Sequence, residues 1–323
     1  MKFYLFIFLY IYISSIFKKK DFFYNFFSKL DEKDYKKGLK YWYENNTNKI
    51  LDLDNPRTYS EKIQWIKLYD IDYLKTYLTD KYLVRKWVKK KIGEKYLIPL
   101  LGVWNKFDEI DFNKLPNQFV LKCNHGSGMN IIVLNKNKFN IFEAKNNIDY
   151  WMKINYAFNY GLELQYKNIK RKIIAEAYIE NNDNNINDYK IWCFDGKIET
   201  IMVITERNKI KKYAFYDKNW NLLPFYYTNF KEKKIDKPKN LNELINISEI
   251  LSKGFKHVRI DFYILNNGTI KFGEMTFTPN SGIIHFAKEE YNEYFGNKIH
   301  INLNNNKNNI NNINKNVKKN KDL

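Results

Sequence analysis

A chain of 323 residues with 44% hydrophobic content can bury a sizeable core and hold two or three lobes, which excludes a disordered protein. Its formal charge of +19 is carried by lysines scattered along the whole length, within a general bias to Lys, Asn, Ile, Tyr and Phe. No compact basic motif with interleaved aromatics stands out, so nucleic acid is not the expected partner, and phosphate-bearing substrates suit the charge equally well.

Residues 3–17 form an uncharged apolar run followed by Lys18-Lys19-Lys20. The run is shorter than a comfortable bilayer span and has no small-residue cleavage site, which argues against a cleaved signal peptide. It reads as a short membrane anchor, an interfacial helix or the first apolar element of the fold; as an anchor it would hold the rest of the chain on the cytoplasmic face. From Asp21 to Glu94 the apolar spacing is helical. Pro56 disfavours helix before it, and Thr58 or Ser60 is available to cap a helix through Ile63–Tyr69. A second helix, capped by Thr79 or Asp80, is expected to run to Gly93, followed by an extended segment over Tyr96–Trp104. The triplet Asp52-Leu53-Asp54 imitates a glycosyltransferase DxD motif but lacks the surrounding strand pattern.

Phe119–Cys123 and Met129–Leu134 are apolar runs flanking Asn124-His125-Gly126-Ser127-Gly128. The pattern predicts a hairpin with a glycine tip, and Lys122 stands beside it. Backbone N–H groups of such a tip can close over phosphate oxygens, with the ammonium supplying charge; an ordinary hairpin with a solvated lysine is the plainer reading. A helix is expected over Ile141–Ile154 and a buried strand carrying Glu176 over Lys172–Ile179. An Asn/Asp-rich loop, Glu180–Asn187, precedes strands joined at Asp195-Gly196, a strong hairpin signal. A helix over Asn242–Gly254 leads to paired strands His257–Ile264 and Thr269–Phe277, joined through Asn266-Asn267-Gly268. The segment 302–323 is Asn/Lys low complexity, with the composition of a disordered tail. Cys123 and Cys193, the two cysteines of the chain, lie in apolar strand-like runs and read as buried thiols in a reducing compartment, with neither a disulfide framework nor a CxxC metal site.

Arg259 and Asp261 are two apart and so share one strand face, where Glu274 of the partner strand can join them. Such charges among apolar neighbours are costly unless paired or bound to a metal. Two carboxylates beside a guanidinium suit Mg²⁺ on nucleotide phosphates, or a purely structural ion network. No Ser–His–Asp or Cys–His set is found; His125 in the glycine loop reads as exposed, with a contact to phosphate or acceptor as the other reading, and His257 and His285 have no partner visible in sequence.

Asp80-Lys81, the Lys122 glycine hairpin, Glu176, Arg259-x-Asp261 and Glu274 occur in an order that resembles the ATP-grasp superfamily. Pro56–Lys62, Phe119–Gly128, Asp188-Tyr189-Lys190 and Gly273–Pro279 look like its branch typified by teichuronopeptide-biosynthesis (TupA-like) proteins, over about residues 55 to 300. The resemblance implies an α+β ATP-grasp fold, two α/β lobes with antiparallel sheets clasping ATP after a helical N-terminal region. The implied division is a leader (1–20), helical region (21–95), small lobe with the glycine loop (96–175), large lobe with the metal site (176–301) and tail (302–323).

The same resemblance implies that Lys81 and Lys122 reach the nucleotide phosphates, and that Gly126, Ser127 and Gly128 close over them. It puts Glu176 near adenine and ribose, Tyr178 and Ile179 in the adenine slot, and Asp188 at a ribose contact. Arg259 matches the catalytic arginine, with Asp261 and Glu274 as Mg²⁺ ligands. Where many ATP-grasp enzymes carry a metal-ligating Asn, this chain has Thr276, a weaker neutral donor, with Asn280 near it, so one or two metal ions are both open. The implied activity is ATP-dependent carboxylate–amine ligation through an acylphosphate, on a uronic acid or similar carboxylate of a surface polysaccharide and an amine acceptor. The other readings are a glycosyltransferase of capsule or lipopolysaccharide biosynthesis and a non-enzymatic basic protein of a membrane surface or nucleic acid.

Overall fold

The computed structural model describes residues 19–179, 187–205, 211–227 and 231–303. The apolar run 3–17, most of the Asn/Asp-rich loop at 180–187 and nearly all of the tail lie outside the described residues. No helix among the described residues is long and apolar enough to cross a membrane.

Helices lead. A helix over 19–28 (α1) is followed by α2 (Tyr35–Thr47), α3 (Tyr59–Tyr69), α4 (Tyr73–Thr79) and α5 (Val84–Lys91). Thr58 starts α3 with a full capping box: its side chain accepts from the Glu61 N–H, and the Glu61 carboxylate accepts from the Thr58 N–H at 2.9 Å. The helix expected from Thr79 or Asp80 begins later. Asp80 ends α4, and its carboxylate accepts the N–H groups of Tyr82 (2.8 Å) and Leu83 (3.2 Å), so a turn separates α4 from α5. Lys81 therefore sits in that turn rather than in a helix. The extended segment is also shorter than expected, since Glu94–Tyr96 form a 3₁₀ turn before β1 (Leu100–Trp104).

Two mainly antiparallel sheets follow. The first has strand order β1-β4-β2-β3, with β2 (Phe119–Cys123), β3 (Asn130–Val133) and β4 (Ile173–Ala177). Phe119, Leu121 and Cys123 alternate inward toward Ala144 and Ile148 of α6 (Ile141–Lys153), which turns Val120 and Lys122 to the other face. The second sheet runs β11-β10-β5-β6-β7-β8, from β5 (Asn187–Phe194), β6 (Lys197–Thr205), β7 (Lys212–Tyr216), β8 (Leu222–Leu223), β10 (His257–Ile264) and β11 (Ile270–Thr276); β9 (Lys231–Glu232) pairs parallel with β7. Asp195 and Gly196 join β5 to β6 with φ of 47° and 75°, the left-handed pair that the Asp-Gly signal requires.

Alternation on the second sheet decides where chemistry can occur. Val258, Ile260 and Phe262 of β10 join Tyr189, Ile191 and Cys193 of β5 in a core with Leu244, Ile247 and Leu251 of α7 (Leu241–Ser252). The intervening residues, Arg259 and Asp261 on β10 and Lys190 and Trp192 on β5, face the opposite way, in register as Arg259↔Trp192 and Asp261↔Lys190. Asp261 also pairs with Glu274 of β11. Both cysteines are free and buried.

Candidate functional site

On this face of the second sheet the charges form one network. Arg259 donates from Nε to Asp261 Oδ1 (2.7 Å) and from Nη2 to Asp261 Oδ2 (2.8 Å), a bidentate pair, and Nη2 also reaches Glu274 Oε1 (3.4 Å) and Thr276 Oγ1 (3.3 Å). Lys190 bonds Asp261 and lies 2.9 Å from Asp188 Oδ2. Burial works against the Arg259 charge, but Asp261 outweighs it and holds the guanidinium above its ordinary range. Burial would likewise raise Glu274; the cations of Lys81, Arg259 and Lys190 reverse this and hold its carboxyl at about 2.

Lys81 links this network to the glycine tip. Its ammonium donates to the Gly126 carbonyl (2.7 Å) and pairs with Glu274 Oε2 (3.4 Å), and its own N–H bonds the Asn124 carbonyl (3.1 Å). A residue in a turn thus spans both sheets. Ser127 and Gly128 are exposed, and Gly128 takes φ 73° with nothing within 4 Å of an added Cβ, an open, left-handed geometry suited to glycine. Gly126 is buried, and a Cβ there would meet Met129 Sδ at 2.6 Å and Tyr156 Cδ2 at 2.7 Å.

Lys122 is held separately. Across the β2–β4 pair its ammonium bonds Glu176 Oε2 (2.6 Å), while Arg85 of α5 takes Glu176 Oε1 (2.7 Å) and the Ile98 carbonyl (2.7 Å). Glu176 is thereby fixed by two cations. Tyr178 and Ile179 continue just beyond β4, half-buried.

The network forms one side of a cleft of about 400 Å³, lined by Ser127, Gly128, Arg259, Glu274 and Thr276 and, across from β11, by residues of the 156–166 segment. A smaller, largely apolar chamber of about 190 Å³ adjoins it, sharing Arg259 and Asn280 and lined by Trp192, Met202 and Tyr227.

Several side chains take other places than their sequence suggests. His125 is buried rather than exposed in the loop; it bonds the Trp151 carbonyl through Nε2 (3.1 Å), and burial lowers its pKa to about 4. His257 is buried between Tyr59 Oη and the Cys193 carbonyl, both at 3.0 Å, and burial lowers its pKa to about 3. Asp52 accepts the N–H groups of Asp54 and Asn55 at 2.9 Å, so the DxD triplet is a turn. Three participants receive no role of their own from the sequence. Lys190 does carry a signal, alternating with Asp188 and Trp192 along β5. Arg85 looks like any cation of a lysine-rich helix, and Glu163 belongs to an irregular stretch without periodicity.

Among the described residues no cluster of three or more His, Cys, Asp or Glu side chains could hold a metal. The paired carboxylates Asp261 and Glu274, with the Thr276 hydroxyl 3.2 Å from Glu274, still fit a hard cation that completes its shell with phosphate oxygens and water, as Mg²⁺ does.

The fold, two mainly antiparallel sheets of which one carries a glycine hairpin and the other an Arg-x-Asp strand, is that of ATP-grasp proteins. The sequence matches the family described as TupA-like ATPgrasp over residues 61–300, and the chain belongs to that family. No curated protein matches the sequence. Among solved structures it is similar to D-alanine–D-alanine ligase from Bacillus anthracis complexed with ATP, at 18% identity and a TM-score of 0.40 over 62% of this chain and 55% of that one. N5-carboxyaminoimidazole synthetase from Staphylococcus aureus is similar at 16% identity and a TM-score of 0.37, over 62% and 44%. The ATP-grasp ligase PsnB, complexed with minimal precursor, Mg and ADP, follows at 8% identity and a TM-score of 0.34, over 64% and 52%. The chain thus spans about half the length of the solved structures it matches.

Proposed function

We propose that this chain is an ATP- and Mg²⁺-dependent carboxylate–amine ligase. The observation that carries the reading is the double contact of Lys81, which ties the carbonyl of Gly126 in the glycine tip to Glu274 in the charged network. A loop able to cover phosphates and a carboxylate pair able to hold their metal ion thereby face one cleft.

In this reading Lys81, Lys122 and the backbone of Gly126, Ser127 and Gly128 bind the phosphates. Glu176, Tyr178, Ile179 and Asp188 surround the nucleoside. Asp261 and Glu274, assisted by Thr276, would hold Mg²⁺, which supplies charge neutralisation on the phosphates. ATP supplies the phosphoryl group that makes a carboxylate a competent electrophile. Arg259 binds the carboxylate and stabilises negative charge as an amine attacks; its bidentate grip on Asp261 fixes the guanidinium beforehand. The carboxylate is proposed to be a uronic acid or similar group of a surface polysaccharide, handled in the cytoplasm, with residues 3–17 as a membrane-surface attachment.

The test is ATP binding by calorimetry with and without Mg²⁺, on wild type, Lys122→Ala and Glu274→Ala. Magnesium-dependent binding that is lost in both variants is the expected result, followed by ADP release in a screen of carboxylates and amines. A folded wild type that binds no ATP overturns the reading, and turnover of a nucleotide sugar spared by both substitutions would replace it with the glycosyltransferase alternative.

A further inference from the structure

The wall of the cleft that faces β11 comes from the irregular segment between α6 and β4, and it carries one carboxylate, Glu163, among Tyr156, Tyr160 and Tyr166. Glu163 is only 5% exposed. Its Oε1 accepts the Thr278 hydroxyl at 2.5 Å, and Gln165 Nε2 in turn donates to that hydroxyl at 2.7 Å. A buried carboxylate ordinarily has a cation in contact. Here the nearby ammonium, Lys67 of α3, is taken by Ser281 Oγ (2.6 Å) and the Tyr160 carbonyl (3.2 Å) and lies 4.5 Å from the centre of the Trp42 ring, and Glu163 forms no salt bridge among the described residues. Tyr156, Tyr160 and Tyr166 line the same cleft as Glu163 and pack on one another, Tyr156 and Tyr166 edge-on at 4.7 Å and Tyr156 and Tyr160 at 6.0 Å. A carboxylate without a cation in contact, in a cleft it shares with aromatic rings, suits a cation. Opposite it Arg259 lines the same cleft and suits an anion.

We infer that Glu163 and the tyrosine wall bind the ammonium group of the acceptor, a primary amine small enough for the cleft, and so set the amine's approach to a carboxylate held at Arg259. This rests on the ligase reading for its place in a reaction, though the cation site stands on the cleft itself. Burial pushes the Glu163 carboxyl up, against the opposing pull of Lys67 and the Thr278 hydrogen bond, and pushes the Lys67 ammonium down. The groups that face it are Lys67 from α3, Arg259 from β10, Glu274 from β11, and Tyr156, Tyr160 and Tyr166 from its own segment. Because ammonium binding needs the ionised carboxylate, affinity for the amine falls as the pH is lowered and Glu163 takes up a proton.

The test is calorimetric titration of the full chain with a panel of primary amines (amino acids, their amides and amino sugars) and with the hydroxy analogue of each, for wild type, Glu163→Gln and Glu163→Asp. At least one amine is expected to bind wild type, its hydroxy analogue at least tenfold more weakly. Glu163→Gln should lose that binding at least tenfold while keeping MgATP affinity, and Glu163→Asp should recover part of it. If no amine of the panel binds, or if Glu163→Gln binds amines as wild type does while only its melting point falls, the site is overturned. Amine binding that depends on Glu163 in a protein that binds no MgATP would sustain the cation site and refute the ligase reading alone.

Discussion

Arg259, Asp261 and Glu274 owe their meeting to strand pairing, whereas Glu163, Lys67 and Thr278 are gathered from a loop, a helix and the exit of a strand. In the first group each charge has an opposite in contact, and the bidentate Arg259–Asp261 bond leaves little freedom. In the second the carboxylate and ammonium lie near one another yet each is held by neutral partners. Charges fixed by register make a rigid electrostatic floor, while in the loop cluster burial pushes the Glu163 carboxyl up and the Lys67 ammonium down, toward their neutral forms.

Substitutions separate the two constructions. The largest stability loss is expected for Asp261→Ala, which strips the buried Arg259 and Lys190 of a shared partner; about 3–5 kcal/mol should be lost in denaturant unfolding, along with ATP turnover. Next comes the acid limb of the stability curve. Glu274 is held near 2, below its ordinary 4.5, so the unfolded chain takes up a proton first as pH falls. Its contribution, on the order of 3 kcal/mol, is complete above about pH 4.5 and is lost as pH falls toward 2, and Glu274→Gln should flatten that limb in unfolding scans. Lys67→Met should cost less, about 1–2 kcal/mol, because the Ser281 hydroxyl, which donates to the Tyr160 carbonyl, and that carbonyl each lose one charged partner but keep each other. A loss as large as that of Asp261→Ala would show the loop cluster to be equally rigid. Smallest is Gly128→Ala, about 1 kcal/mol by thermal melting, arising from the positive φ alone since no atom obstructs the new methyl.

The same division explains what could be read in advance. Period-two alternation puts Arg259 and Asp261 on one face and Val258, Ile260 and Phe262 on the other, and the Asn-Asn-Gly and Asp-Gly turns set which strands pair; the charged floor and most of the second sheet follow from these local rules. Lys81 shows where they stop. Its neighbour Asp80 offers both a helix cap and a turn, and the choice rests on the Asn124 carbonyl, more than forty positions away, which receives the Lys81 N–H. Arg85 on Glu176 and Lys67 near Glu163 depend in the same way on tertiary approach, and a lysine-rich sequence gives no reason to prefer one cation over another. Lys67 is especially concealed, standing between Ile66 and Leu68 in a helix whose other polar residues include the equally buried Gln64.

The clasp between α3 and the C-terminal helix α8 (Glu289–Asn297) has a consequence for synthesis. Lys62 donates to the carbonyls of Gly296 (2.8 Å) and Ile299 (2.9 Å), Ser60 N–H to the Asn292 side chain (3.0 Å), and Gly296 lies so close to the Arg57 carbonyl that a Cβ there would be 2.3 Å away. On the ribosome α3 emerges more than two hundred residues before its partner, so the nascent chain must carry the helix with that contact face uncovered until α8 is translated. Both sheets can assemble in the interval, but this docking step awaits a segment that lies beyond every strand among the described residues.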